Sequence, residues 1–203
     1  MGFSPNTPAS APLMATVFSH AVAAVALGIA CGPRLPARAI FYGAICSMVP
    51  DADVIGFGLG IRYGDPLGHR GFSHSLFFAA VLATVVTLLL FFRPADRRRW
   101  PAIWSFLFLA TASHGVLDAL TDGGLGVAFF APFSNARFFF PWNPIAVSPI
   151  GAGFFSARGM GVLASEALWI WLPSLLVAAA GIAWHRRQKG APPSSCGKPN
   201  QRA

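Results

Sequence analysis

The chain has 203 residues, 55% of them hydrophobic and only 11% charged, with a mean hydropathy of +0.58. A soluble domain carries about a quarter charged residues, so most of this surface must face something other than water. Fifteen Lys and Arg against seven Asp and Glu leave +8. No polar face remains to present that charge to nucleic acid, so no nucleic-acid partner is expected and the excess reads as the basic loops of a membrane protein. Cys31, Cys46 and Cys196 form no CxxC pair, which excludes a disulfide framework or zinc ribbon.

Five apolar runs are long enough to be read as spans, at about 20 helical residues per crossing: 14–31, 39–60, 74–92, 100–121 and 164–184. The first is not read as a cleaved leader, because residues 1–13 hold no Lys or Arg to make a positive amino-terminal region. Pro50, Asp51 and Asp53 interrupt the second, and Pro50 is expected to end or kink the helix at Val49. Glu166, near the start of the fifth, is read as a helix-dipole residue, Asp96 as part of a solvated cluster with Arg97–Arg99, and Asp122 as a helix carboxyl-terminal turn. The expected fold class is all-α, a multi-pass transmembrane helical bundle of about five spans with an irregular outer segment after span four. Residues 1–185 are expected to form one integral membrane domain, and 186–203 a disordered basic tail. The residues set no oligomeric state.

Lys and Arg mark the cytoplasmic side of short loops. Arg34 and Arg38 follow span one; Arg93, Arg97, Arg98 and Arg99 follow span three; Arg186, Arg187, Lys189, Lys198 and Arg202 follow span five, eleven of the fifteen. The predicted orientation is an external N-terminus and a cytoplasmic C-terminus.

Ionisable side chains inside apolar runs are costly and read as functional. Here they are His20, Asp51, Asp53, His69, His74, His114, Asp118 and Asp122. At about 1.5 Å per residue, Asp51 lies about 18 Å, His114 about 21 Å and Asp118 about 27 Å above the cytoplasmic ends of their spans. His20 lies about 9 Å below the outer end of its own, with His69 and His74 in the outer loop or first turn of span three. All fall in one leaflet. His114 and Asp118, four apart, share a helix face. His69 to His74 encloses Arg70 in a tight turn that Gly71 is expected to permit. Mixed imidazole and carboxylate donors suit zinc, with Mn or Fe as alternatives. Seven candidates (His20, Asp51, Asp53, His69, His74, His114 and Asp118) exceed the needs of one zinc, so one or two ions are expected. Asp53 is read as a ligand, an acceptor orienting a histidine, or a catalytic base, and Arg70 as a catalytic cation neutralising a phosphoryl oxygen.

At these residues the chain resembles a known family. Ser19-His20, the run Val49 to Asp53, the block Gly68-His69-Arg70-Gly71-Phe72-Ser73-His74-Ser75 and the run Ser113 to Thr121 are similar to the YdjM-like membrane-bound, metal-dependent hydrolases of the bacterial inner membrane, described as LexA-regulated. Ala131-Pro132-Phe133 and Phe140-Pro141 look like the family's outer segment, and the resemblance covers about residues 14–150. Val54 stands where the family often has a histidine. The order His, Asp, His, His-x-x-x-Asp is more distantly similar to zinc-dependent phospholipase C and P1-type nucleases, whose later His-x-x-x-Glu has no counterpart after Asp118. The resemblance implies a metal-dependent hydrolase; taken with the phosphoesterase-like residue order and the predicted orientation, the expected reaction is hydrolysis of an ester, of phosphate type, in a membrane lipid or lipid-linked substrate at the outer face. An aromatic segment from Phe129 to Trp142 is expected at the interface, as a lid, an acyl-chain platform or an aromatic belt. An ion-carrying transporter or channel, and a scaffold tied together by metal, are the alternatives.

Overall fold

The computed structural model describes residues 13, 14, 16–149 and 157–190. Eight helices occur among them: α1 Val17–Cys31, α2 Ala37–Met48, α3 Ile55–Gly58, α4 Leu76–Leu90, α5 Pro94–Arg97, α6 Trp100–Ala119, α7 Ala157–Glu166 and α8 Leu172–Gly190. Strand pairing among the described residues is a two-residue antiparallel ladder of β1, Leu13–Met14, with β2, Ser148–Pro149, and two isolated bridges, Thr121 with Ile145 and Val127 with Phe138. The class is the expected all-helical multi-pass bundle.

Four helical runs are long and apolar enough to cross a membrane: Val17–Arg34, Ala37–Gly58, Trp100–Ala119 and Gly159–Lys189. The fifth expected span is shorter, because α4 starts only at Leu76 and its 15 residues reach about 22 Å. Ser75 caps it, its Oγ accepting the Phe78 N–H at 3.0 Å. Pro50 does not end the second span. Val49 keeps right-handed helical angles, and the chain tightens into a 3-10 turn over Val49–Val54 before resuming as α3. Removing one N–H at Pro50 changes the hydrogen-bond step without breaking the rod.

The helices pack through small residues. Ala24 of α1, Ala39 of α2, Ala83 of α4 and Ala110 of α6 are buried around Phe106, Ile103, Leu107 and Phe91. Gly43 of α2 lies so close to the Phe106 ring that a Cβ there would collide with it. The outward faces carry Phe18, Phe41, Leu89, Leu175 and Leu176, each more than 60% exposed, which suits acyl chains rather than water.

Two acidic side chains depart from their expected settings. Asp96 is buried and pairs with Arg38 of α2 rather than standing in a solvated cluster. Glu166 does not open a span. It sits inside one helical run, at the junction of α7 with a π-helical turn over Ala167–Trp171, and is fully buried against the start of α1. Asp122 is the turn residue expected: its Oδ1 accepts the Val147 N–H at 2.9 Å, folding the non-helical segment after α6 back on itself. Helix α8 continues through Arg186 and Lys189 to Gly190, past the expected start of a disordered tail at 186; residues 191–203, including Cys196, lie outside the described residues.

Candidate metal centre

Helix α1 begins, α2 ends, α4 begins and α6 ends at one end of the bundle, so the polar residues of four distant segments meet there. Asp51 comes from the 3-10 turn, His74 from a second 3-10 turn over Phe72–His74, and His114 and Asp118 from one face of α6. Gly115 makes this approach possible, since a Cβ at that position would stand 2.9 Å from the His74 carbonyl oxygen.

The four donors converge on one point. His74 Nε2 and His114 Nε2 are 3.0 Å apart. Asp51 Oδ1 lies 3.3 Å from His114 Nε2 and 3.8 Å from His74 Nε2. Asp118 Oδ2 lies 3.2 Å from His74 Nε2 and 3.6 Å from His114 Nε2. Ligands held at about 2.0–2.1 Å by a tetrahedral zinc are separated by about 3.3 Å, so these spacings are those of the edges around one small cation. Both oxygens of Asp51 and of Asp118 are buried and have no hydrogen-bond partner among the described residues. Such atoms are expensive unless something satisfies them, and a divalent ion fits both their charge and their donor type.

The outer nitrogens of both imidazoles are held. His114 Nδ1–H donates to the Ser47 carbonyl at 2.7 Å. His74 Nδ1–H donates to Ser73 Oγ at 3.0 Å, and Ser73 donates to Asp53 Oδ2 at 2.6 Å. His69 Nδ1–H donates to Asp53 Oδ1 at 2.7 Å. Each of these contacts joins a donor to an acceptor at hydrogen-bond length and lies on the far side of the rings from the four-donor point. Asp53, His69 and His74 also lie close enough to hold an ion as a group, but each Asp53 oxygen already accepts one hydrogen bond, from His69 or from Ser73. It thus orients His74 and fixes its tautomer, one of the roles foreseen for it. His69 is buried behind it, Nε2 unpartnered. The two groups share His74, and only the first has carboxylate oxygens without a hydrogen-bond partner among the described residues.

His20 is also fully buried. Its ring stacks on His114 at 3.7 Å between centroids, its Nε2 is 3.7 Å from Asp118 Oδ1, and neither of its nitrogens has a hydrogen-bond partner among the described residues. It flanks the four-donor group rather than completing it.

His74 lies outside the membrane-spanning helices. Burial works against its charged form, but the carboxylates of Asp118 and Asp53, 3.2 Å and 3.3 Å from its nitrogens, prevail and push its pKa up to about 9.

Arg70 does not present a free edge to a substrate. It is wholly buried with φ 61°, a left-handed conformation unusual for a residue with a side chain. Its guanidinium donates to the carbonyls of Gly123 (2.8 Å) and Leu125 (3.1 Å) and to Thr121 Oγ1 (3.0 Å). Its Nε stands 3.3 Å from Asp118 Oδ2. The expected phosphoryl-binding cation is in fact committed to the segment after α6 and to Asp118. Gly71 serves the turn by its lack of bulk, not by a left-handed φ: a Cβ there would meet the Gly68 carbonyl at 2.7 Å. Arg137, which sequence reasoning passed over, adds a second clasp, donating to the carbonyls of His69 (3.0 Å), Tyr63 (3.2 Å) and Asp65 (3.2 Å). Its signal was a lone charge in an otherwise apolar stretch.

The comparisons with known proteins agree with this reading of fold and setting. The family model described as YdjM inner membrane protein matches residues 14–189. The chain is 41% identical over 182 residues to Inner membrane protein YbcI of Escherichia coli (strain K12), an alignment that covers 86% of this chain and 100% of that protein. No solved structure matches, and the likeness to phospholipase C and P1-type nucleases stays one of residue order. A multi-pass helical bundle with a buried His/Asp cluster, matched along most of its length, belongs to the YdjM family of inner membrane proteins.

Proposed function

We propose that the chain is a membrane-embedded, metal-dependent hydrolase that cleaves an ester of phosphate type in a lipid or lipid-linked substrate. The observation that carries this reading is the set of four donor atoms spaced as the edges around one cation, with both carboxylates unsatisfied. Asp51, His74, His114 and Asp118 hold the ion, zinc fitting the donor set best, with Mn or Fe as alternatives. Bound there, a divalent cation supplies Lewis acidity toward an ester oxygen and toward water. Asp53 and Ser47 orient the two imidazoles, and Arg70 holds Asp118 in place. His20, the imidazole beside the site with no committed nitrogen, takes up the proton released from an attacking water. Eleven of the fifteen basic residues follow spans one, three and five in the sequence, which supports a site at the outer face, an external N-terminus and a cytoplasmic C-terminus.

The test is hydrolysis of a panel of phosphate mono- and diesters, lipid phosphates in mixed micelles included, by the purified zinc-loaded protein and by His114→Ala. Turnover that the substitution abolishes supports the reading, and turnover that it leaves unchanged overturns it. One observation favours a second reading, a metal that only ties the helices together: each of the four donors is 5% exposed or less. Tight metal binding without turnover on any ester would select it.

A further inference from the structure

Glu166 is a fully buried carboxylate that the metal centre does not use. It accepts the Thr16 backbone N–H at 2.6 Å, the Ser19 hydroxyl at 2.7 Å and the Thr16 hydroxyl. Thr16 stands at the N-cap position of α1 but its side chain makes no capping bond, so a carboxylate from a helix some 150 residues away gathers the Thr16 and Ser19 donors at the start of α1 and opposes its positive end. The π-helical turn over Ala167–Trp171 lets a second group join. Bonding across five residues brings Glu166 and Trp171 toward one face, and the Trp171 Nε1–H donates to the same Ser19 Oγ at 2.8 Å. The preceding residue, Ser165, accepts the Ala146 N–H at 3.0 Å and donates to the Pro144 carbonyl at 3.2 Å, tying in the segment after α6.

His20 directly follows Ser19. Its own nitrogens have no hydrogen-bond partner among the described residues, so its place against His114 and Asp118 is set by where α1 begins. From this we infer that Glu166 is a positioning residue of the metal centre: with Trp171 it latches the first turn of α1 and thereby holds the His20 imidazole beside His114 and Asp118. The π-helical turn brings both latch groups to Ser19, which makes the α7–α8 run part of the site although it contributes nothing to the ion. This inference rests on the metal-centre reading for its consequence but not for its geometry.

The experiment uses the full-length protein in detergent, as wild type, Glu166→Gln, Glu166→Ala, His20→Ala and the double variant His20→Ala/Glu166→Ala. Each is loaded with Co²⁺, and its visible spectrum and its affinity against a chelator are recorded. Glu166→Gln, which keeps the size of the side chain, guards against loss of the fold. Both Glu166 variants are expected to reproduce the spectral change of His20→Ala and to lower affinity about tenfold. The double variant is expected to lose no more than His20→Ala alone, since coupled residues are not additive. A wild-type spectrum in both Glu166 variants, or fully additive losses, would overturn the latch. A second measurement needs no metal: with the three natural cysteines replaced by serine, His20→Cys is labelled with a maleimide in the presence and absence of Glu166→Gln. Labelling at least tenfold faster in the Glu166 variant supports the latch, and equal rates overturn it. If the wild type binds no metal, the proposed function fails while the labelling still decides the latch.

Discussion

His74 and His114 meet Nε2 to Nε2 at 3.0 Å although 40 residues separate them in the chain. Each ring is turned inward by a partner behind it: Ser73 and Asp53 for His74, the Ser47 carbonyl for His114. Two imidazoles so placed, with Asp51 and Asp118 beside them, define a small volume lined by donors to a cation.

The partner behind His74 can be tested apart from the ligands. Asp53→Asn keeps all four donors and weakens only the hold on His69 and His74. Metal stoichiometry is expected to stay near that of wild type while affinity falls about 10–100-fold, as read by competition with a chelator. Complete loss of metal would instead make Asp53 a ligand.

The raised pKa of His74, about 9 against an ordinary 6.5, sets a pH dependence. Below 9 the metal-free protein holds a proton that an ion must displace, so apparent affinity is expected to climb from pH 6 to pH 9, with proton release measurable by calorimetry in buffers of different ionisation enthalpy. Because the folded pKa is raised, the contribution of His74 to the metal-free fold is fully present below about 6.5 and is lost as pH rises through about 9. The melting temperature of the metal-free protein should therefore drop across that window.

Arg70 is a structural clasp on a strained backbone. Arg70→Met leaves the carbonyls of Gly123 and Leu125 without their donor and Asp118 without its cation. A loss of about 3–5 kcal/mol is expected, seen as a lower unfolding temperature in detergent, and partly recovered by added zinc.

Helix α2 packs on α6 through Gly43, where a Cβ would enter the space of the Phe106 ring. Gly43→Val is expected to cost about 1–3 kcal/mol through overpacking, and Gly43→Val with Phe106→Leu to recover part of it. Equal thermal stability of wild type and Gly43→Val would show that the two helices separate there.

Much of this arrangement was legible in the sequence, because cost makes it visible. A His or Asp in an apolar run stands out, and the i, i+4 spacing of His114 and Asp118 carries directly into a shared helix face. What sequence could not do is sort ligand from supporting residue. Asp53 and Asp51, two residues apart, differ only in what the 3-10 turn and the His69–His74 loop bring against each. Glu166 was readable by the same rule and was set aside because its place in a span was taken for a helix start; the run in fact begins at Ala157. Asp96 and Arg38 pair across 58 residues, and Arg70 finds its acceptors 51 to 55 residues onward. Such partners are set by helix packing, and local spacing does not encode them.

On the proposed function, Asp51, His74, His114 and Asp118 together bind one metal ion. Elemental analysis of the purified protein, after incubation with zinc and removal of loosely held ions, tests it most directly, with His114→Ala purified in parallel and its helix content checked by circular dichroism. About one divalent ion per wild-type chain is expected, and less than a tenth of that in the equally helical variant. A metal-free wild type, or a variant that keeps the full complement, would contradict it.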